Sequence, residues 1–225
     1  MAKNNNRTLL SVIGSALILT ALASAPVAAH PHVFAEARLE ITIKPDGTVE
    51  KLAHVWRFDD LFSSTVLMEF DKKGTLKLDT PELNELSHTI DTSIAEYKYF
   101  QTVTQDGKDV VMKKPEHLIA DLPDNQLIVL FESKPKKPLK LEKGHKVSFG
   151  VYDPTFYTAI DYLKDDDLVI KGMPAGCSSQ VVRPDPDEAI AQNQQSLTQA
   201  FFDEGAAMTN DMSKLFATRI EITCK

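Results

Sequence analysis

The residues with the clearest capacity for chemistry stand together early in the chain, at His30-Pro31-His32. Imidazole is the commonest side-chain ligand for borderline ions such as zinc, copper and nickel. What precedes His30 decides whether it brings a further nitrogen. Met1 to Ala29 carries Lys3 and Arg7 but no acidic residue. A mostly apolar run from Leu9 to Ala25 follows, then the small-residue site Val27-Ala28-Ala29. That order reads as a secretory signal peptide, with cleavage expected after Ala29. His30 then opens the mature protein, and its α-amine has a pKa near 8. At neutral pH a metal need displace only one weakly held proton to bind that amine. Amine and ring of His30 would chelate one ion jointly, with His32 as a further ligand. The amino-terminal copper motif is excluded, because it uses a deprotonated second backbone amide and Pro31 has no N–H.

Such a site needs a scaffold, and the next residues supply one. Val33, Ala35, Ala37, Leu39, Ile41 and Ile43 alternate with polar or exposed-type residues, which predicts a strand with one buried face. Lys44-Pro45-Asp46-Gly47 is a turn, and Thr48 to Phe58 forms the return strand. A four-residue turn places His32 opposite Asp59; a two-residue Asp46-Gly47 turn places it opposite Leu61. Either register gathers His30 and His32 towards Asp59 and Asp60, and two imidazoles with a carboxylate make a common zinc shell. The same registers put His54 opposite Ala37 or Leu39. It then shares the apolar face of Leu52, Trp56 and Phe58, across the sheet from His32, and reads as a core residue.

Further elements follow from pattern. Asp60 to Phe70 is expected to be a short helix, and a second begins at Thr80, with Thr80 as cap and Pro81 at the first helical position. Strands are expected at Tyr99–Thr104, Asp109–Lys113, Leu118–Leu122, Leu127–Glu132, Lys146–Tyr152, Asp167–Lys171 and Ala217–Cys224. A third helix is expected from Asp185 to Phe202. The fold class is α+β: a single domain, residues 30–225, of mainly antiparallel β hairpins with two or three helices.

Cys177 and Cys224 are the only cysteines, and in an oxidising compartment an isolated pair is most simply one disulfide. The whole chain has a formal charge of −7, and loss of Lys3 and Arg7 makes the mature protein more acidic still. An acidic exported chain is a poor partner for nucleic acid. After residue 30 no apolar stretch approaches the roughly 20 residues of a membrane helix. Lys134, Lys136, Lys137, Lys140, Lys143 and Lys146 form a basic cluster, read as a solvated, proline-interrupted loop. Gly-x-Ser-x-Gly, His-Glu-x-x-His and phosphate-loop patterns are lacking, so no enzyme activity is expected. Val151-Tyr152-Asp153-Pro154-Thr155-Phe156-Tyr157 is dense in polar-tipped aromatics around one carboxylate. It reads as a strand end with an Asp-Pro turn.

Four motifs in order carry a resemblance over nearly the whole mature chain: His30-Pro31-His32-Val33-Phe34, His54-x-Trp56-x-Phe58-Asp59, Tyr99-Phe100 and the Val151–Tyr157 run. The chain resembles bacterial periplasmic proteins encoded beside nickel/cobalt permeases of the NicO class, and is similar to the periplasmic zinc-binding component ZevA. The resemblance implies a periplasmic accessory of a transition-metal transport system, working with an inner-membrane permease. It carries the family's His-Pro-His onto His30, Pro31 and His32, and its His-x-Trp onto His54 and Trp56. With Asp59 or Asp60 added from the hairpin register, the expected ligand set is His30, His32 and Asp59 or Asp60, with His54, which the resemblance carries over, as a ligand that strand parity sets apart. Zn²⁺ is the expected ion, with Ni²⁺ or Co²⁺ as alternatives. The rival expectation is a β-rich scaffold that assembles the permease and binds no metal.

Overall fold

A computed structural model describes residues 32–185, 187–194 and 212–225. The expected signal peptide, His30 and Pro31 lie outside the described residues, as does most of the helix expected from Asp185 to Phe202. Within that stretch, residues 187–194 are helical, capped by the Asp185 carboxylate accepting from the Asp187 and Glu188 amides.

Alternation decides the first hairpin. Strand β1 (Val33–Ile43) buries every odd residue, and β2 (Val49–Phe58) buries Leu52, His54, Trp56 and Phe58 on the same side. The chain turns through Pro45-Asp46-Gly47, with Gly47 at φ +82°, and the Lys44 amide donates to Thr48 O at 2.9 Å. A three-residue turn with glycine in the left-handed region is a favoured hairpin connection. A bulge follows between Ile43–Val49 and Thr42–Lys51. Beyond it the ladder runs from Thr42–Lys51 to Ala35–Phe58, with Leu39 opposite His54. This is the register of the shorter turn, reached by a longer turn plus a bulge.

Helix α1 (Asp60–Phe70) has the expected bounds. Helix α2 (Thr80–Ala95) starts one residue off its expected cap: Asp79 is the N-cap and forms a reciprocal capping box with Glu82, while Thr80 is already helical. The remaining strands are β3 (Gln101–Gln105), β4 (Lys108–Asp109), β5 (Leu118–Asp121), β6 (Ile128–Ser133), β7 (Lys146–Val151), β8 (Thr158–Asp161), β9 (Leu168–Lys171), β10 (Cys177–Val182) and β11 (Arg219–Cys224). Strand signals at Tyr99-Phe100 give way to a tight turn: Lys98, Tyr99 and Phe100 all have positive φ, and pairing begins at Gln101.

One sheet has the order β5-β6-β2-β1-β8, with β9 also on β1; the second is β10-β11-β7-β3-β4. Most pairs are antiparallel, but β8 and β9 both run parallel to β1. The apolar faces of both sheets form one core with α1 and α2, so the fold is a single mixed α+β domain. Trp56 stacks near Phe100 and Tyr99 near Phe131, joining the two layers. Cys177 and Cys224 face each other across β10 and β11 and form a disulfide with Cα atoms 4.0 Å apart.

Candidate functional site

The end of the first hairpin is built from three segments. Backbone pairing continues one step past β2: the Asp59 amide donates to Phe34 O at 2.9 Å. Asp59 thus sits directly opposite Phe34, two residues from His32. Diagonal neighbours in such a ladder lie about 7–8 Å apart. The Asp59 carboxylate is committed at both oxygens. Oδ1 accepts from the Phe62 amide at 2.9 Å, which caps α1, and Oδ2 accepts from the Phe34 amide at 2.9 Å. Each oxygen has a second lone pair, so one more interaction per oxygen is chemically open. Asp60 stands in the first turn of α1 and is exposed.

The third segment is the Asp153 turn. Asp153 is buried, and its carboxylate draws the turn round itself. Oδ1 accepts from the Thr155 amide and hydroxyl at 2.8 and 2.7 Å, and Oδ2 from the Thr158 amide at 2.8 Å. That geometry delivers Tyr157 to the start of β1. Its carbonyl accepts from the amides of His32 and Val33, at 2.9 and 3.2 Å, and its ring lies 5.2 Å from the imidazole of His32. The Asp-Pro turn is therefore present, and it stands beside His32. Residue patterns flagged this run without connecting it to the terminus. The connection is the parallel β1–β8 pairing, which leaves no local mark.

His32, Asp59 and Asp60 are thus brought to one end of the sheet. Among the described residues, no group of three or more His, Cys, Asp or Glu side chains is arranged to hold a metal ion. His30 lies outside the described residues. His54 is placed elsewhere, on the core side of the sheet. Its ring stacks on Phe131 at 4.5 Å between centroids and meets Trp56 edge-on at 6.2 Å. Burial depresses its pKa to about 3, opposed by the Gln101 side chain, so the ring is neutral at physiological pH. Neither ring nitrogen makes a direct hydrogen bond. His88, His117 and His145 are exposed; His145 pairs with Asp106 at 2.6 Å, and that contact raises its pKa.

The family model described as "Protein of unknown function (DUF1007)" matches residues 15–224. The chain belongs to the DUF1007 family. It is 25% identical over 211 residues to an uncharacterized protein of Haemophilus influenzae, covering 93% of this chain and 98% of that one. A second relative is an uncharacterized 15.5 kDa protein in the trpE 3'region of Spirochaeta aurantia. It is 25% identical over 136 residues, covering 60% of this chain and 96% of the relative. Across most of the DUF1007 match the described residues form the two-sheet domain. Its Cys177–Cys224 disulfide is of the kind formed in oxidising compartments. No helix among the described residues is long and apolar enough to cross a membrane.

Proposed function

We propose that this DUF1007 protein is a periplasmic transition-metal-binding accessory of a metal transport system. Zn²⁺ is the expected cargo, with Ni²⁺ or Co²⁺ as alternatives. His30 and His32 would bind it with Asp59 or Asp60, and an inner-membrane permease would exchange it. The observation that supports this reading most directly is the Phe34–Asp59 backbone pair, which sets Asp59 two residues along the ladder from His32, with Asp60 next in the chain at the start of α1. Of the two, exposed Asp60 is the more available ligand, because Asp59 already serves two amides. A site on a strand end suits exchange, since its ligands can leave one at a time. His54 is the weakest member of the proposed set, being buried on the other face. Zinc titration of the mature protein tests the reading: H30A/H32A should abolish tight binding, and unchanged affinity in that variant would sink the site.

A scaffold without bound metal is the second reading, and one observation favours it. Phe34 and Leu61, 55% and 77% exposed, stand with half-exposed Tyr157 around the same end of the sheet. Exposed apolar groups gathered in one place mark interaction surfaces. Capture of the permease that survives H30A/H32A and strong chelation would support this second reading.

A further inference from the structure

Between β6 and the segment leading into β5 lies a cleft of about 400 Å³. Small-molecule sites span about 300–1,000 Å³. Interrupted pairing creates it. Met112 pairs with Pro135, and the Lys113 amide donates to Lys134 O at 2.8 Å. Pairing with β6 resumes only at Leu118–Phe131. Residues 114–117 therefore leave the ladder and wall a gap. Outward side chains of Val55, Ile119 and Leu130 line its apolar part, the last two 56% and 38% exposed.

Its charged part is unusual. The register that pairs Met112 with Pro135 sets Lys113 directly opposite Lys134, both exposed and both on the cleft lining. Cβ atoms of such cross-strand pairs are about 4.5–5.5 Å apart, and like charges there oppose folding. Nearby charges are matched: Lys114 pairs with Asp91 at 2.8 Å, and Glu132 pairs with Lys51. Lys113 and Lys134 make no ion pair among the described residues, nor does Glu116 on the same lining. The lining thus keeps a positive excess in an acidic protein.

We propose that this cleft binds a free amphiphilic oxyanion. Its carboxylate or phosphate head sits between Lys113 and Lys134, and its apolar chain lies over Val55, Ile119 and Leu130. A bare inorganic anion would leave the apolar floor wet, and a neutral apolar compound would leave the two lysines facing each other unmatched. The site is separate from the terminal histidines and does not depend on metal binding.

Calorimetric titration of the mature protein with monomeric decanoate tests this, beside decyl maltoside and sodium phosphate. The expected result is saturable one-to-one binding of decanoate that weakens with added salt. K113Q/K134Q should weaken it by about tenfold or more, as loss of hydrogen bonds to a charged group does. K113R/K134R should retain it, and H32A should leave it unchanged. Equal binding of decyl maltoside would overturn the proposal, as would unchanged affinity in K113Q/K134Q. Capture by anionic vesicles without binding of the monomer would also overturn it, by assigning the lysines to a membrane surface.

Discussion

A neutral imidazole sealed between Phe131 and Trp56 ties stability to pH. In the unfolded chain His54 takes up a proton as pH falls through about 6.5. In the folded protein it resists until pH about 3, because burial disfavours the charged ring. Between those values the unfolded state binds more protons, so acid favours unfolding and stability rises with pH. Full stability from this residue is present above pH 6.5 and is lost progressively below it. The slope approaches about 1.4 kcal/mol per pH unit, on the order of 5 kcal/mol over the whole window. Replacing His54 by Phe or Leu should flatten the denaturation midpoint between pH 6.5 and 4; an unchanged acid slope would refute the assignment. Asp59 and Asp60 separate in the same manner, by what each already holds. D59A removes a helix cap and should cost about 1 kcal/mol in chemical denaturation. D60A, on an exposed first-turn residue, should cost a few tenths of a kcal/mol yet weaken zinc binding. Equal stability of the two variants would contradict the capping role of Asp59.

Elements with a clear local pattern were legible, including β7, β9 and β11, whose partners are distant; which strands pair across the chain was not. The β1–β2 hairpin, α1 and the β5–β6 hairpin follow from alternation, helical spacing and turn residues that act within a few positions. Strands β8 and β10 escaped because neither alternates cleanly. Thr158–Asp161 is only partly covered, and Cys177–Val182 is mostly exposed. Both edges are held by distant partners: β8 by parallel pairing with β1, and β10 by β11 and the disulfide. The cysteine pairing itself was readable, since two cysteines allow one intramolecular bridge. Its consequence is an element-level one. The bridge spans a separation of 47 residues, and the chain-entropy model assigns such a closure about 4 kcal/mol. C177S/C224S should therefore lower unfolding stability by about 2–4 kcal/mol in denaturant titration, with β10 losing amide-exchange protection first. Uniform loss of protection across both sheets would place the bridge inside the folding core instead.

At the scale of the whole molecule, the candidate site was legible in composition but not in arrangement. His-Pro-His near a hairpin end pointed to Asp59 and Asp60; the structure sets Asp59 opposite Phe34, two residues from His32, and Asp60 in the first turn of α1, and no metal-holding group forms among the described residues. What pattern could not supply is the Asp153 turn, because Tyr157 reaches His32 through a crossover of more than a hundred residues. On the proposed reading, one end of the domain would combine donors for an ion at His32 and Asp60 with the exposed apolar groups Phe34, Leu61 and Tyr157. An accessory that transfers an ion needs both, since the ligands must meet an acceptor while the surface holds it in place. These capacities can be uncoupled. F34S/L61S should leave zinc affinity within about twofold while removing capture of the permease from solubilised membranes, because apolar burial drives association. H30A/H32A should do the reverse, abolishing zinc binding while retaining capture in excess chelator. If F34S/L61S lost zinc binding along with capture, the apolar groups would be supporting the site and not the contact. If H30A/H32A lost capture along with zinc, the ion itself would bridge the two proteins, and docking would depend on loading.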